Sequence, residues 1–221
     1  LIKWIKRSSS GWSFTNLIFG AVLLSASAGA KADRNVLAPT GLIAIPNSIR
    51  FEAAVLGSNS HSNLDWITIG MPNQLLGLEL EAERVERPGF RSNSFSAQYS
   101  LTGNAFSDLA PSLSVGVRDV LRQGPEGQAL FVALTKTFGL SRAQERILRD
   151  YKVHVGYGTS RLDGPFIGIQ GRFVAGFTAK AEYLSRHFNA SVALPLVKNL
   201  NLKAYSLNGD FFYGAAFTIA K

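Results

Sequence analysis

From about Phe51 to Ile219 the chain alternates polar with apolar side chains, stops at a cluster of Gly, Pro, Asn or Asp, and then starts the alternation again. In Phe95-Ser96-Ala97-Gln98-Tyr99-Ser100-Leu101 every odd position is apolar or small and every even one polar. That period suits a strand with two unlike faces, and a helix would scramble it. Twelve such segments follow one another: 51–57, 64–70, 75–85, 93–102, 111–119, 128–138, 150–158, 164–173, 176–186, 188–196, 199–207 and 210–219. The links Val174-Ala175-Gly176, Val197-Lys198-Asn199 and Asn208-Gly209-Asp210 leave no room for crossover helices, so neighbours pair antiparallel. The expected fold is all-β: an up-and-down antiparallel meander closed into a β-barrel of about 12 strands.

One face of these segments is apolar, as in Leu76, Leu78, Leu80 or Tyr151, Val153, Val155, Tyr157, and the other is polar. The division fits a membrane barrel with its apolar face outside or a soluble barrel or sandwich with that face inside, and periodicity does not choose between them. Three features favour the membrane. A meander this wide encloses more space than Ala, Leu and Val fill as a dry core, aromatics such as Tyr151 and Tyr157 bracket strands where interfacial girdles belong, and the N-terminus reads as an export signal.

In that signal Lys3, Lys6 and Arg7 precede the apolar run Leu17 to Leu24, and Ala30-Lys31-Ala32 supplies a small-x-small cleavage site. The run is too short for a membrane anchor. The expected division is therefore a signal peptide at 1–32, an entry segment at 33–50 serving as a plug or a periplasmic extension, and the barrel at 51–221. The expected location is the outer membrane, with the periplasm as the alternative.

Of 23 basic and 15 acidic residues, Lys3, Lys6, Arg7 and Lys31 fall in the signal, which leaves an excess of four positive charges. That is too mild for a nucleic-acid footprint, and no basic run interleaves with aromatics. With no cysteine there is no disulfide framework, thiolate metal site, thiol nucleophile or lipid-modified cysteine.

The polar residues expected on the lumen face are Glu79, Glu81, Glu83, Arg118, Lys152, His154, Gln170, Arg172, Lys180, Glu182 and Asn189. The three glutamates on one strand form either an acidic stripe facing Lys180, Arg172 or Lys136 across the lumen or a plain solvated face. They do not make a glycosidase pair, which needs two carboxyls opposed across a cleft. His154 reads as structural, and His61 and His187 fall in expected loops or turns. Arg161-Leu162-Asp163-Gly164 closes a turn in which Asp-Gly supplies left-handed geometry; it is a candidate for a structural salt bridge or, alternatively, a sugar-binding loop. Ser141 to Arg149 carries the helical character of the chain and reads as a solvated loop or a surface helix. No cofactor, metal or catalytic constellation is expected.

Pro39-Thr40-Gly41-Leu42-Ile43-Ala44-Ile45-Pro46 resembles the entry segment of the YjbH family, barrel-like proteins linked to exopolysaccharide production. Further blocks resemble the family in the same order: Ser114 to Val120, Ala133 to Gly139, His154 to Gly158, Arg161 to Gly168, and Ala181-Glu182-Tyr183 with Phe188-Asn189-Ala190. The last strand, Gly214-Ala215-Ala216-Phe217-Thr218-Ile219, is similar to the C-terminal signal read by the barrel-assembly machinery, with Gly214, Phe217 and Ile219 as its assembly residues and Phe212 where a polar residue is usual. The resemblance implies a non-enzymatic outer-membrane barrel assisting exopolysaccharide production or secretion, with membrane lipid, the assembly machinery and polysaccharide or export proteins as partners. A general diffusion pore and a soluble periplasmic carbohydrate-binding or scaffold protein remain alternatives.

Overall fold

The computed structural model describes residues 36–57, 59–71, 77–87, 89–102, 110–124, 127–140 and 147–220; of Asn59, Ser60, His61 and Phe90 it describes the backbone alone. The residues read as a signal peptide lie outside this set. Twelve strands follow in order: β1 Ser48–Leu56, β2 Asn59–Gly70, β3 Leu78–Arg87, β4 Phe90–Ser100, β5 Ser112–Arg118, β6 Ala129–Gly139, β7 Leu148–Gly158, β8 Gly164–Phe173, β9 Thr178–Leu184, β10 His187–Val197, β11 Leu200–Leu207 and β12 Asp210–Ala220. Each pairs antiparallel with its neighbours, and β12 closes on β1 in the register Ser48↔Ala220 through Leu56↔Phe212, giving a closed barrel. Phe217 pairs with Phe51 and Ile219 with Ile49 along this seam. In the β11–β12 link, Asn208 and Gly209 hold φ of 53° and 89°, the left-handed pair that a two-residue hairpin demands.

The alternation resolves with the apolar face outward. Val115, Val155 and Val192 are 39–42% exposed, whereas Lys180 and Glu182 are 4% and 2% exposed on the inner face. This inverts a soluble barrel and matches one dissolved in lipid. Aromatics gather at both ends of the outer surface. Tyr157, Tyr183, Phe188, Phe211 and Tyr213 lie toward the end away from Ser48 and Ala220, while Phe138 stacks on Tyr151 at 4.8 Å toward the near end. Asp65, Arg84 and Asn93 form one outward polar row on β2–β4, beyond Ile67, Ala82 and Phe95, and mark where the wall leaves the apolar zone.

Several expectations are corrected. β1 starts at Ser48 and not at 51, because Ser48, Arg50 and Glu52 continue the inward polar face. Lys136 shares the outer face with Val132 and Leu134, so it cannot oppose the glutamates across the lumen; its place near the strand end lets the ammonium reach the interface. His61 lies in β2 and His187 opens β10, neither in a loop. Within Ser141 to Arg149, residues 148 and 149 belong to β7 and not to a helix, and 141–146 lie outside the described residues. The lumen is also less aqueous than its polar wall implies. Val36, Ala54, Leu64, Trp66, Tyr205, Leu207 and Phe212 form one buried apolar cluster inside the barrel, and Ala38, Ala129, Phe131, Ala133, Leu162, Phe166 and Leu184 form another. Phe212, unusual at its position for an assembly signal, is 1% exposed in the first cluster.

Candidate functional site

Val36 belongs to the first luminal cluster and Ala38 to the second, with Leu37 packed against both, and from them residues 36–46 run through the barrel as a strap. The strap has no alternation of its own and makes no sheet, so its backbone polar groups need partners from the wall. Val36 and Ala38 donate their amides to Glu182 Oε2 at 3.0 and 2.9 Å, and Leu37 donates to Oε1 at 2.7 Å. Asn189 Nδ2 donates a fourth hydrogen bond to the same carboxylate at 3.1 Å, and its Oδ1 accepts from the amide of Asn208. Glu182 is thus a latch at the far half of the lumen.

Three more fastenings follow toward the near end. The Thr40 carbonyl accepts from Ser114 Oγ at 2.7 Å and from Gln98 Nε2 at 2.5 Å, and Gln98 also reaches the Leu42 carbonyl at 3.1 Å. The Gly41 amide donates to Thr135 Oγ1 at 2.7 Å, and that hydroxyl lies 2.7 Å from His154 Nδ1. The Ala44 amide donates to Glu79 Oε2. Gly41 sits so close to the wall that a Cβ there would lie 2.0 Å from the Ser112 carbonyl oxygen and 2.6 Å from the Thr135 nitrogen. Only glycine permits this approach.

The expected lumen residues therefore do different things. Glu79, His154, Glu182 and Asn189 hold the strap directly or through one intermediary. Glu81 and Arg118 border a void of about 30 Å³ beside Thr40 and Ala44. Gln170 and Lys180 are buried on the inner wall, with Lys152 on the same face. Arg172 stands at the near mouth, half exposed and ion-paired with Asp150. Glu83 lies 3.9 Å from Arg161 Nη2, reaching from the β7–β8 link. Arg161 and Asp163 do not pair with each other; Asp163 meets Arg186 at 3.2 Å. Asp163 has φ 43° and Gly164 φ 94°, so the left-handed pair is present, preceded by a 3-10 turn at Ser160–Leu162 that folds Leu162 into the lumen. Gly214 lies against the seam, where a Cβ would be 2.1 Å from the Ala53 carbonyl oxygen.

Glu52 is a luminal hub that sequence reading missed. It accepts from Lys203 Nζ at 2.9 Å and from the Tyr205 hydroxyl, and pairs with Arg50. The inward sequence Ser48-Arg50-Glu52 carried the signal, and starting the first strand at 51 hid it.

Beyond the strap, toward the end away from Ser48 and Ala220, the lumen opens into a vestibule of about 800 Å³. Leu37 of the strap, Leu162 and Leu184 form apolar parts of its lining, and Glu83, Ser94, Arg118, Arg161, Asn189 and Asn208 polar ones. Among the described residues no three His, Asp or Glu side chains converge as a metal site.

No family model matches this sequence, and no curated protein does. Among solved structures, the fold is similar to the KdgM porin, at 13% identity and a TM-score of 0.50 over 79% of this chain and 99% of that one. It is equally similar to the KdgM porin in complex with disordered oligogalacturonate, at 13% identity and a TM-score of 0.51 over the same shares. At this identity the likeness shows the fold alone: the chain is a closed, twelve-stranded antiparallel barrel of the porin type.

Proposed function

We propose that the protein is a non-enzymatic outer-membrane β-barrel that assists production or secretion of an extracellular polysaccharide, with its lumen held shut by its own N-terminal strap. The observation that carries this reading is the strap itself. The stretch resembling the YjbH entry segment, Pro39 to Pro46, lies inside the barrel, and its Thr40, Gly41, Leu42 and Ala44 each meet the wall. The apolar outer face supports residence in lipid, and the basic, apolar and small-residue sequence at 1–32 supports export. Both ends of the barrel emerge on one side. The vestibule opens on the opposite side, which carries the β1–β2, β3–β4, β5–β6, β7–β8, β9–β10 and β11–β12 links.

Polysaccharide as cargo is favoured by the family resemblance and by the polar vestibule. The similar KdgM barrel in complex with oligogalacturonate supports it as an analogy. A general diffusion pore is the second reading, favoured by the porin fold; a strap fastened at four places opposes it. Deleting the gene and assaying surface polysaccharide, beside single-channel conductance of the purified protein, tests the two. The proposal expects reduced polysaccharide and a closed channel, and normal polysaccharide with steady large conductance would favour the pore.

A further inference from the structure

The vestibule carries a row of side chains that the strap does not use. β2, β3 and β4 place Trp66, Glu83 and Ser94 directly across from one another on the inner face, where they are 2%, 8% and 4% exposed. All three line the 800 Å³ cavity. Among the described residues Glu83 Oε2 and Ser94 Oγ make no hydrogen bond, and the Arg161 guanidinium stands 3.9 Å from Glu83 Oε2, beyond hydrogen-bond reach. Buried polar atoms left in this way are costly unless the contents of the cavity serve as their partners.

We infer that this vestibule is a binding site for the end of a neutral glycan chain. Glu83 and Ser94 present acceptors on one wall, while Arg118, Arg161, Asn189 and Asn208 place donor-bearing side chains around them. A ligand that meets both walls must donate and accept through closely spaced groups, which is the chemistry of sugar hydroxyls. An apolar ligand leaves the Glu83 and Ser94 oxygens unmet, and a carboxylate brings only further acceptors to them. Arg87, Arg118 and Arg161 on the same lining favour an anion, so the trigalacturonate arm of the test below decides between a neutral and an acidic chain. The volume lies within the range of about 300–1,000 Å³ usual for ligand sites. Because the strap occupies the lumen and borders the vestibule through Leu37, the site receives a chain terminus and not a chain in transit. This deepens the proposed polysaccharide role and rests on it for the source of the glycan, but the site stands on its own geometry.

Trp66 is the one tryptophan among the described residues and lies in the wall, so it reports on occupancy. The test titrates the full protein, purified from outer membranes in detergent, with a panel of neutral hexasaccharides (an α-glucan, a β-glucan and a β-mannan) and with trigalacturonate. Tryptophan fluorescence and calorimetry are the readouts. Saturable binding of at least one neutral hexasaccharide is expected, tighter than trigalacturonate and weakened ~10-fold by Ser94→Ala or Glu83→Gln. Heat-modifiable gel mobility establishes that each variant is folded. Absence of binding across the neutral panel, preference for trigalacturonate, or unchanged affinity in folded variants overturns the site. A parallel assay of surface polysaccharide in cells lacking the gene separates the two ideas. Normal polysaccharide with intact binding overturns the cellular role and leaves the site standing; lost polysaccharide with no binding does the reverse.

Discussion

Replacing Glu182 by Ala should release the strap. The carboxylate accepts from three successive strap amides at 2.7–3.0 Å, and the residue is 2% exposed. A hydrogen bond to a charged group contributes about 1.5–3 kcal/mol. Three of them would sum to more than 4 kcal/mol if independent, but water entering from the vestibule recovers part of the loss at each freed amide. We therefore expect a net loss of about 3 kcal/mol, a shift of roughly 100-fold in the ratio of undocked to docked strap. The assay is single-channel recording in a planar bilayer, with heat-modifiable gel mobility confirming that the barrel is folded. The wild-type protein should be closed nearly all the time, and Glu182→Ala should open about 100-fold more often. If a variant lacking residues 36–46 conducts while Glu182→Ala remains as closed as wild type, the latch is wrong.

Gly41→Ala should also loosen the strap, because its Cβ would fall 2.0 Å from the Ser112 carbonyl oxygen; limited proteolysis near residue 41 should become faster without loss of the barrel's heat-modifiable band. Val155→Arg, on the outer face, should destabilise the barrel by about 2–4 kcal/mol in urea unfolding from lipid vesicles, and Lys152→Arg on the inner face should change it little. Replacing Phe217 and Ile219 together by Asp should abolish accumulation in the outer-membrane fraction, since the β1–β12 seam would carry charges into lipid beside Phe51 and Ile49. His154→Ala should leave membrane assembly intact, because Thr135, whose hydroxyl lies 2.7 Å from the His154 Nδ1, still receives the Gly41 amide.

The number of strands and the division of their faces were legible because period-2 alternation is a local property: Val155 and His154 are neighbours in sequence and opposite in space. Which face meets lipid was not, since the same alternation serves an inside-out barrel; export and lumen size decided the expectation. The β9–β10 link was harder to see. Ser185 and Arg186 both take positive φ, 51° and 66°, without the Asn or Gly that usually announces such a turn. The strap was the least legible part. Its fastening depends on contacts between residues far apart in sequence, such as Val36 with Glu182, and nothing in Pro39-Thr40-Gly41-Leu42 displays its own partners. Glycine at 41 makes sense only once the wall behind it is known.

The most direct test of a strap inside the lumen is a proximity measurement, made simple by the absence of native cysteine. Leu37 and Asn189 both line the vestibule, Leu37 from the strap and Asn189 from β10. A protein carrying Leu37→Cys and Asn189→Cys, treated in outer membranes with a short bis-maleimide, should form an internal cross-link that changes gel mobility, while either single variant should not. Failure to cross-link when both cysteines react with a small soluble maleimide would place the strap outside the barrel and contradict the account.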